Sequence, residues 1–136
     1  MDNKIIQLLN HADLRITQVR KDVLTCFLEN NHALSSTDIE EALTTALDRI
    51  TLYRTLKSFE EKGLIHSIVD PNNTTKYAMC EATCTEHHHH DEHIHFHCTS
   101  CGNTFCIEET IPSVHLPTGY RISNASMIVN GLCSNC

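Results

Sequence analysis

Apolar residues near the start of the chain recur with the spacing of an α-helix. A first group predicts a short helix that ends near Asn10 or His11, and its members are Ile5, Ile6, Leu8 and Leu9. Thr17 suits the N-cap of a second helix from Gln18 to Asn30, because its hydroxyl can accept a hydrogen bond from a free first-turn amide. The apolar stripe of that helix comprises Val19, Val23, Leu24, Phe27 and Leu28.

Two further helices are predicted, and each begins at a capping sequence. The segment Ser35-Ser36-Thr37-Asp38 resembles a capping box, with Asp in place of the usual Glu, that opens a helix from Ile39 to Ala46. Asp48 caps a longer helix that runs to Lys62. Gly63 then supplies the left-handed residue with which many helices end.

The longer helix has an apolar side and a polar side. Leu52, Leu56 and Phe59 share its apolar face, and the residues predicted to point elsewhere are Thr51, Arg54, Thr55 and Ser58. Two strands follow, from Leu64 to Val69 and from Thr75 to Met79, around the turn sequence Asp70-Pro71-Asn72-Asn73. Three helices and a β-hairpin are the order of a winged helix-turn-helix, whose third helix enters the DNA major groove. By pattern alone, a merely solvated helix face is an equally good interpretation.

Two Cys-x-x-Cys pairs give the chain its strongest chemical signal. Cys98 and Cys101 form the first pair, and Cys133 and Cys136 form the second. Four thiolates at this spacing match the closed tetrahedral coordination of a structural zinc, and Gly102 suits the tight turn after the first pair. Two disulfides or separate buried thiols are the alternatives. A secretory h-region and an apolar stretch of about 20 residues are both lacking, which favours a cytosolic compartment and no membrane partner.

Charge divides the chain of 136 residues into two chemically different parts. Its net charge of −7 argues against a nucleic-acid partner, but the distribution of charge matters more than the sum. Residues 1–69 carry eight basic and ten acidic side chains, whereas residues 70–136 carry two basic and seven acidic ones. We therefore expect an N-terminal domain of residues 1–80 and a metal-binding domain of residues 81–136.

Several motifs, in this order, resemble the ferric uptake regulator (Fur) family of bacterial metal-dependent repressors. The matching segments are Arg15 to Arg20, Ile50 to Leu56, the His-rich run that leads into Cys98 to Gly102, and Gly131 to Cys136. The resemblance implies an α+β fold in which a winged helix-turn-helix precedes a small α/β dimerisation domain with a structural zinc held by four cysteines. It also implies a cytoplasmic homodimer, without enzymatic activity or a small-molecule substrate, that binds an AT-rich palindromic operator.

The resemblance also implies which residues meet DNA. Arginine reads narrow AT-rich minor grooves well, and we expect Arg15 to lie in such a groove or on phosphates. Tyr53 and Arg54 lie on the helix that faces DNA. The complete set of expected DNA-binding residues is Arg15, Arg20, Thr51, Tyr53, Arg54 and Lys57.

A second, regulatory metal site is implied at the hinge between the domains. His93, His95 and His97 alternate with apolar residues, so a strand would place these three imidazoles on one face. Alignment with the family puts His93 and His95 on its sensory histidines. Zinc uptake regulators supply the further ligands that match His66 and Cys80. The expected zinc site is therefore His66, Cys80, His93 and His95.

Cys106 stands where the family usually has a Glu, and it is a fifth candidate ligand, a replacement for one of the four expected ligands, or a buried strand cysteine. Cys84 and the run from His87 to His90 form either a metal-collecting segment or a merely polar loop. Zinc in the regulatory site is expected to stop the winged helices from moving freely about residues 70–85. A sensor of iron, manganese, nickel or peroxide is the nearest alternative. A zinc hydrolase and a zinc-binding interaction module are more distant ones, and no HExxH spacing supports the hydrolase.

Overall fold

The computed structural model describes residues 2–43, 47–79, 93–110, 112–123 and 125–136, and the side chains of 93, 108 and 110 are outside the description. The fold is α+β, as predicted. Its described helices are α1 (Asp2–His11), α2 (Gln18–Glu29), α3 (Ser36–Ala42) and α4 (Arg49–Glu61). None of these described helices is long and apolar enough to cross a membrane.

The helix caps lie where the sequence predicts them. The Thr17 hydroxyl accepts a hydrogen bond from the Arg20 N–H at 3.2 Å, and the Asp48 carboxylate accepts one from the Thr51 N–H at 2.7 Å. Gly63 has a φ of 78°, which is the left-handed conformation expected after α4. The sequence therefore predicts the starts of α2 and α4 correctly, because capping is a local interaction.

The capping box of α3 also forms, but the helix begins earlier than predicted. The Asp38 N–H donates to the Ser35 hydroxyl at 3.1 Å, and the Ser35 N–H donates to the Asp38 carboxylate at 3.0 Å. Ser35 is therefore the N-cap and α3 begins at Ser36, three residues before the predicted Ile39. The helix ends at Ala42, because the backbone of its C-cap residue Leu43 is extended, with a ψ of 130°. The predicted continuation to Ala46 is therefore wrong at Leu43, and residues 44–46 lie outside the described residues.

The capping box gives a testable contribution to stability. Ser35→Ala should reduce the free energy of unfolding by about 1 kcal/mol, because an alanine leaves the Asp38 N–H without its acceptor. Urea unfolding followed by circular dichroism measures the change. Ser36→Ala is the matched control, since Ser36 is the exposed first residue of the helix and its replacement should leave stability nearly unchanged. Equal effects of the two substitutions would contradict the assignment.

The helices enclose one apolar core. Leu52, Leu56 and Phe59 of α4 are each at most 1% exposed, as the predicted apolar face requires. Thr55 corrects the prediction: it is buried too, and its hydroxyl donates to the Thr51 carbonyl at 2.8 Å. Its position between Leu52 and Phe59 on the helical repeat places it inside the apolar stripe. The other members of this core are Ile5, Leu9, Leu14, Val23, Leu24, Cys26, Phe27, Leu34, Ile39, Leu64 and Ile65.

A three-stranded antiparallel sheet completes the N-terminal half. The predicted hairpin consists of β2 (Ile65–Val69) and β3 (Thr75–Met79). A short strand that the sequence did not predict, β1 (Leu34–Ser35), pairs with the other edge of β3 and gives the strand order β1-β3-β2. We call this sheet the wing sheet.

A second sheet lies in the C-terminal half. It consists of β4 (His93–Cys98), β5 (Thr104–Thr110) and β6 (Met127–Gly131), in the order β5-β4-β6. β4 is antiparallel to β5 and parallel to β6. The described residues from 93 onward contain no helix, which agrees with the two prolines of the segment after β5.

The two halves are in direct contact. The Ala33 N–H donates to the Thr104 carbonyl at 2.7 Å across the boundary, and Ile128 packs against a small buried group of Ala33, Ile68 and Ala78. Lys76, within the predicted pivot of residues 70–85, is part of this contact, because its Nζ donates to the Gly102 carbonyl at 2.6 Å. Free movement of the winged helices about this segment stays a prediction, and residues 80–85 lie outside the described part of the chain.

Candidate metal centres and DNA-facing surface

The four cysteines of the two Cys-x-x-Cys pairs converge on one point. Their sulfur atoms all lie within 4.8 Å of one another, and we call the group the cysteine cluster. Cys98 ends β4 and Cys101 lies in the turn that follows, whereas the second pair follows β6. The parallel pairing of these two strands therefore brings the pairs together. Gly102 has a φ of 78°, as the predicted turn requires.

The sulfur separations fit a zinc ion and not a disulfide between the pairs. The Sγ atoms of Cys101 and Cys133 are 3.9 Å apart, whereas a disulfide requires about 2.05 Å. Two sulfurs bound tetrahedrally to one zinc at about 2.3 Å lie about 3.8 Å apart. The cluster therefore has the dimensions of a closed structural zinc site, and the disulfide alternative does not describe these two residues.

The local hydrogen bonds prepare the cluster for a cation. The backbone N–H groups of Cys101 and Cys133 each donate to the Cys98 Sγ at 3.4 Å, and these bonds lower the pKa of Cys98 to about 6. Hydrogen bonding with the Cys133 side chain raises the pKa of Cys136 to about 12. Deprotonation of Cys98 is therefore favoured, whereas deprotonation of Cys136 is opposed by its hydrogen bonding with the neighbouring thiols. A divalent cation bound by the four sulfurs stabilises the thiolates and so offsets this effect.

A second cluster joins the two halves of the molecule. His66 of β2, His95 of β4 and Cys106 of β5 each offer a ligand atom within 4.8 Å of the other two. His95 and Cys106 are directly opposite each other in the β4–β5 pair, so their side chains project from the same face of the sheet. His66 reaches them from the wing sheet. We call this group the hinge cluster.

The geometry of the hinge cluster fits a tetrahedral metal site. The Nε2 atoms of His66 and His95 are 3.2 Å apart, and two nitrogens bound to one zinc at about 2.0–2.1 Å lie about 3.3 Å apart. His95 is only 5% exposed, and His66 and Cys106 are half-buried. One buried imidazole, one half-buried imidazole and a half-buried thiol around one point form a donor set that suits zinc.

The structure brings together only part of the predicted regulatory site. His66 and His95 are in the hinge cluster, and Cys106, the additional candidate, is there with them. Cys80 lies outside the described residues, as do Cys84 and the run from His87 to His90. The backbone of His93 belongs to β4, but its side chain is also outside the description.

His97, the third alternating imidazole, has a different environment. It shares the buried face of β4 with His95, and its Nδ1 lies 3.0 Å from the Thr104 hydroxyl. It belongs to neither cluster among the described residues. The predicted shared face of β4 is therefore confirmed for His95 and His97, and the packing of the wing sheet against His95 separates the environments of these two imidazoles.

The predicted DNA-binding residues of α4 form an exposed surface. Tyr53 is 58% exposed, and Arg54 and Lys57 are exposed beside it. The Lys57 Nζ lies 5.8 Å from the centre of the Tyr53 ring, a distance at which the ring attracts the cation. Thr51 is half-buried at the start of the helix.

Arg15 and Arg20 lie together near the first turn of α4. The Arg20 Nη1 donates to the Arg15 carbonyl at 2.6 Å, and the Arg15 side chain is exposed. Both residues line a groove of about 540 Å³ that Thr51 also lines. The remaining lining residues are Asp13, Leu14, Thr17, Val19 and Thr55. The groove thus brings Arg15 and Arg20 beside Thr51, the predicted DNA-binding residue at the start of α4.

Sequence reasoning missed a buried polar contact beside the metal clusters. Lys76 is 8% exposed, and its Nζ donates to the Gly102 carbonyl at 2.6 Å and lies 3.4 Å from a carboxylate oxygen of Asp70. The strand pattern contains a signal for it. Residues Lys76 and Ala78 are two apart in β3, so Lys76 points to the same side as the buried Ala78.

Known proteins identify the family of the chain. The family model described as "Ferric uptake regulator family" matches residues 11–129. A ferric uptake regulation protein of Staphylococcus epidermidis is 33% identical over 141 residues, which cover 98% of this chain and 95% of that protein. The corresponding protein of Staphylococcus aureus strain Mu50 is 30% identical, with 98% and 96% covered.

Solved structures agree in fold. A zinc uptake regulator complexed with zinc and DNA superposes with a TM-score of 0.66 at 20% identity and covers 98% of this chain and 91% of its own. The ferric uptake regulator from Pseudomonas aeruginosa with manganese gives a TM-score of 0.62 at 16% identity, with 96% and 98% covered. The chain therefore belongs to the ferric uptake regulator family of metal-dependent transcription regulators.

Proposed function

We propose that this regulator is a zinc-responsive repressor and that the hinge cluster is its sensory site. The observation that carries the proposal is the meeting of His66 from the wing sheet with His95 and Cys106 from the second sheet, all within 4.8 Å. A metal ion bound by residues of both halves restricts the movement of one half relative to the other. Cys80 and His93 are the proposed further ligands, because they complete the set that the sequence predicts.

The donor atoms favour zinc over iron and manganese. Imidazole and thiolate ligands suit zinc, whereas carboxylates and carbonyls suit the harder manganese. Cys106 supports this preference because it replaces a family carboxylate by a thiolate. The ferric names of the relatives favour iron as the second candidate, and the metal titrations described below distinguish the two.

Metal binding and DNA binding are coupled in this proposal. A zinc ion in the hinge cluster supplies a positive charge and directional bonds to both halves. His66 then holds the wing sheet to β4 and β5, and α4 moves as one body with the second sheet. If the metal raises the affinity for DNA by some factor, DNA raises the affinity for the metal by the same factor.

The homodimer is part of the same proposal. The C-terminal half exposes many large apolar side chains, and such surfaces on a soluble domain mark protein contacts. They are Ile107, Val114, Leu116, Tyr120, Ile122, Met127, Val129 and Leu132. A twofold dimer presents two α4 surfaces, and a palindromic duplex matches that symmetry. We propose an AT-rich palindromic operator, upstream of metal-uptake genes, and a cytoplasmic location.

The α4 surface carries the proposed contacts to DNA. Arg54, Tyr53 and Thr51 lie nearest to the base edges in this arrangement, with Lys57 on the phosphates. Arg15 and Arg20 approach the backbone or the adjacent minor groove, where a narrow groove attracts arginine. Phosphate contacts supply much of the affinity, so we expect binding to weaken steeply with salt.

Replacement of one thiol tests the sensory site. We expect native protein to bind two zinc ions per chain, one in each cluster. Cys106→Ser should retain the zinc of the cysteine cluster and bind the second ion roughly a hundredfold more weakly, because a hydroxyl is a poor replacement for a thiolate. Elemental analysis and competition with a zinc chelator measure both quantities. With cobalt in the hinge cluster, the thiolate charge-transfer absorption should decrease.

Cys26→Ala is the matched control, because it also removes one thiol but lies in the α2 core outside both clusters. It should keep both ions and the cobalt spectrum.

Binding to an AT-rich palindromic duplex, selected from a random pool by the native protein, is then measured against buffered zinc and buffered ferrous iron. Activation by iron without any response to zinc would refute the zinc assignment.

A further inference from the structure

Lys76 connects the wing sheet to the second sheet through contacts with residues that are not proposed metal ligands. Its ammonium donates to the Gly102 carbonyl at 2.6 Å and lies within 3.4 Å of the Thr104 hydroxyl. Both acceptors belong to the C-terminal half, whereas Lys76 is in β3 of the wing sheet. A charged side chain that is 8% exposed is retained only where such partners compensate its desolvation.

The counter-ion of Lys76 comes from its own half. The Asp70 carboxylate accepts hydrogen bonds from the N–H groups of Asn72 and Thr74, both at 2.9 Å, and so shapes the turn between β2 and β3. Burial alone would raise the pKa of Asp70, but the hydrogen bond from Thr74 and the charge of Lys76 hold it below the usual value. The Lys76 Nζ is 3.4 Å from the carboxylate and nearer to the Gly102 carbonyl. The side chain is thus directed across the boundary.

The acceptors of Lys76 are next to both metal clusters. Gly102 directly follows Cys101, and its N–H donates to the Cys98 carbonyl at 2.9 Å within the cysteine turn. Thr104 is fully buried on β5, two residues before Cys106. On the other side of the boundary, Lys76 and His66 belong to the paired strands β3 and β2. The wing sheet therefore contacts the second sheet through the polar side chains of His66 and Lys76, in addition to the packing of Ile128 against Ile68 and Ala78.

We propose that Lys76 is a positioning residue of the hinge cluster. It holds the wing sheet against β4 and β5, so that His66 faces His95 and Cys106 before a metal binds. It also joins the wing sheet to the turn of the cysteine cluster, so that an intact cysteine turn supports the sensory site. The role of Lys76 in holding the two sheets together is independent of the proposed function. Its effect on metal affinity rests on the proposed function of the hinge cluster.

The expected loss of metal affinity follows from the fraction of molecules in which the hinge cluster is already assembled. A site that must be assembled before it binds has its affinity reduced by the fraction of molecules in the competent arrangement. If loss of the Lys76 attachment leaves about a tenth of the molecules with His66 in place, the affinity for metal falls about tenfold. The ligands themselves stay the same, so the saturated site keeps its spectrum.

Lys76→Met tests the proposal with two measurements. In protein whose hinge cluster is metal-depleted but whose cysteine cluster retains zinc, hydrogen exchange of the Ala33 amide should accelerate about tenfold, because this amide donates to the Thr104 carbonyl across the boundary. Amides of the α2 core should not change. Cobalt affinity of the hinge cluster should fall about tenfold, with an unchanged spectrum at saturation. Lys62→Met, which removes an exposed lysine, is the matched control for both.

A second variant covers the case in which Asp70, left without its counter-ion, prevents folding. Asp70→Asn combined with Lys76→Met removes both charges and keeps an oxygen that can accept from Asn72 and Thr74, and it should show the same two changes. Unchanged exchange at Ala33 would overturn the proposal, as would an altered spectrum at saturation. Native protein that binds no second metal would refute the proposed function, whereas faster exchange in Lys76→Met would still support the role of Lys76 in holding the sheets.

Discussion

Cys101→Ser should release the zinc of the cysteine cluster and unfold the second sheet. The reason is that the C-terminal half has little apolar core of its own. In the described part of the chain, the two buried apolar clusters draw on residues 5–79 and on a single half-buried side chain, Ile128, from the second half. Buried residues on β4 and β5 are mostly polar, among them His95, His97 and Thr104. Metal coordination must therefore supply much of the folding free energy, about 10 kcal/mol or more in small zinc modules.

Zinc content and hydrogen exchange of β4 and β6 measure the result. We expect loss of the structural ion and exchange at the rate of an unfolded chain in these strands, while α1, α2 and α4 stay protected. Ser134→Ala is the matched control, because Ser134 lies between Cys133 and Cys136 and is exposed. It should keep both the zinc and the protection. Retained protection of β6 in the zinc-free Cys101→Ser protein would contradict the prediction.

Arg54→Ala should weaken binding of the zinc-loaded dimer to its selected duplex by about one and a half to four powers of ten. One arginine that reads a base bidentately contributes about 1–3 kcal/mol, and a dimer loses the contact in both half-sites. The side chain is exposed on α4, so the loss should not reach the core. Fluorescence anisotropy at fixed salt measures the affinity, and thermal unfolding confirms the stability.

Salt titrations separate base contacts from phosphate contacts. Lys57→Ala should weaken binding similarly for all duplexes and reduce the salt slope by about one per lost phosphate contact. Arg54→Ala should instead relax sequence preference. Lys62→Ala, at the exposed C-cap of the same helix, is the control and should change neither quantity. If Arg54→Ala leaves affinity and preference unchanged, the proposed base contact of Arg54 is wrong.

The net charge of −7 is compatible with these contacts because charge is local on this surface. Arg15 and Arg20 line a groove with Thr51 of α4, Arg54 and Lys57 are exposed on α4, and these residues are the proposed contacts to the duplex. Screening at physiological salt limits the influence of distant carboxylates to about 8 Å.

Local sequence determined most of the helical half. Thr17, Ser35, Asp38, Asp48 and Gly63 act within one helical turn of their own positions, so capping and periodicity predict the helices with small errors at the ends. The two Cys-x-x-Cys pairs likewise carry their chemistry in their spacing. The family motifs added the prediction that the chain is a metal-dependent regulator, and the family match confirms this prediction.

The tertiary structure alone decided which residues meet across the boundary. The parallel pairing of β6 with β4 joins strands that are far apart in the chain, and such long-range pairing leaves no mark on the local pattern. The register of β4 and β5 sets Cys106 opposite His95 and makes a cysteine of ambiguous role a candidate ligand. Lys76 received no role from the sequence because its partners are 26 and 28 residues away. Spacing reveals groups that act within one turn or one strand, whereas contacts between sheets depend on how whole elements pack.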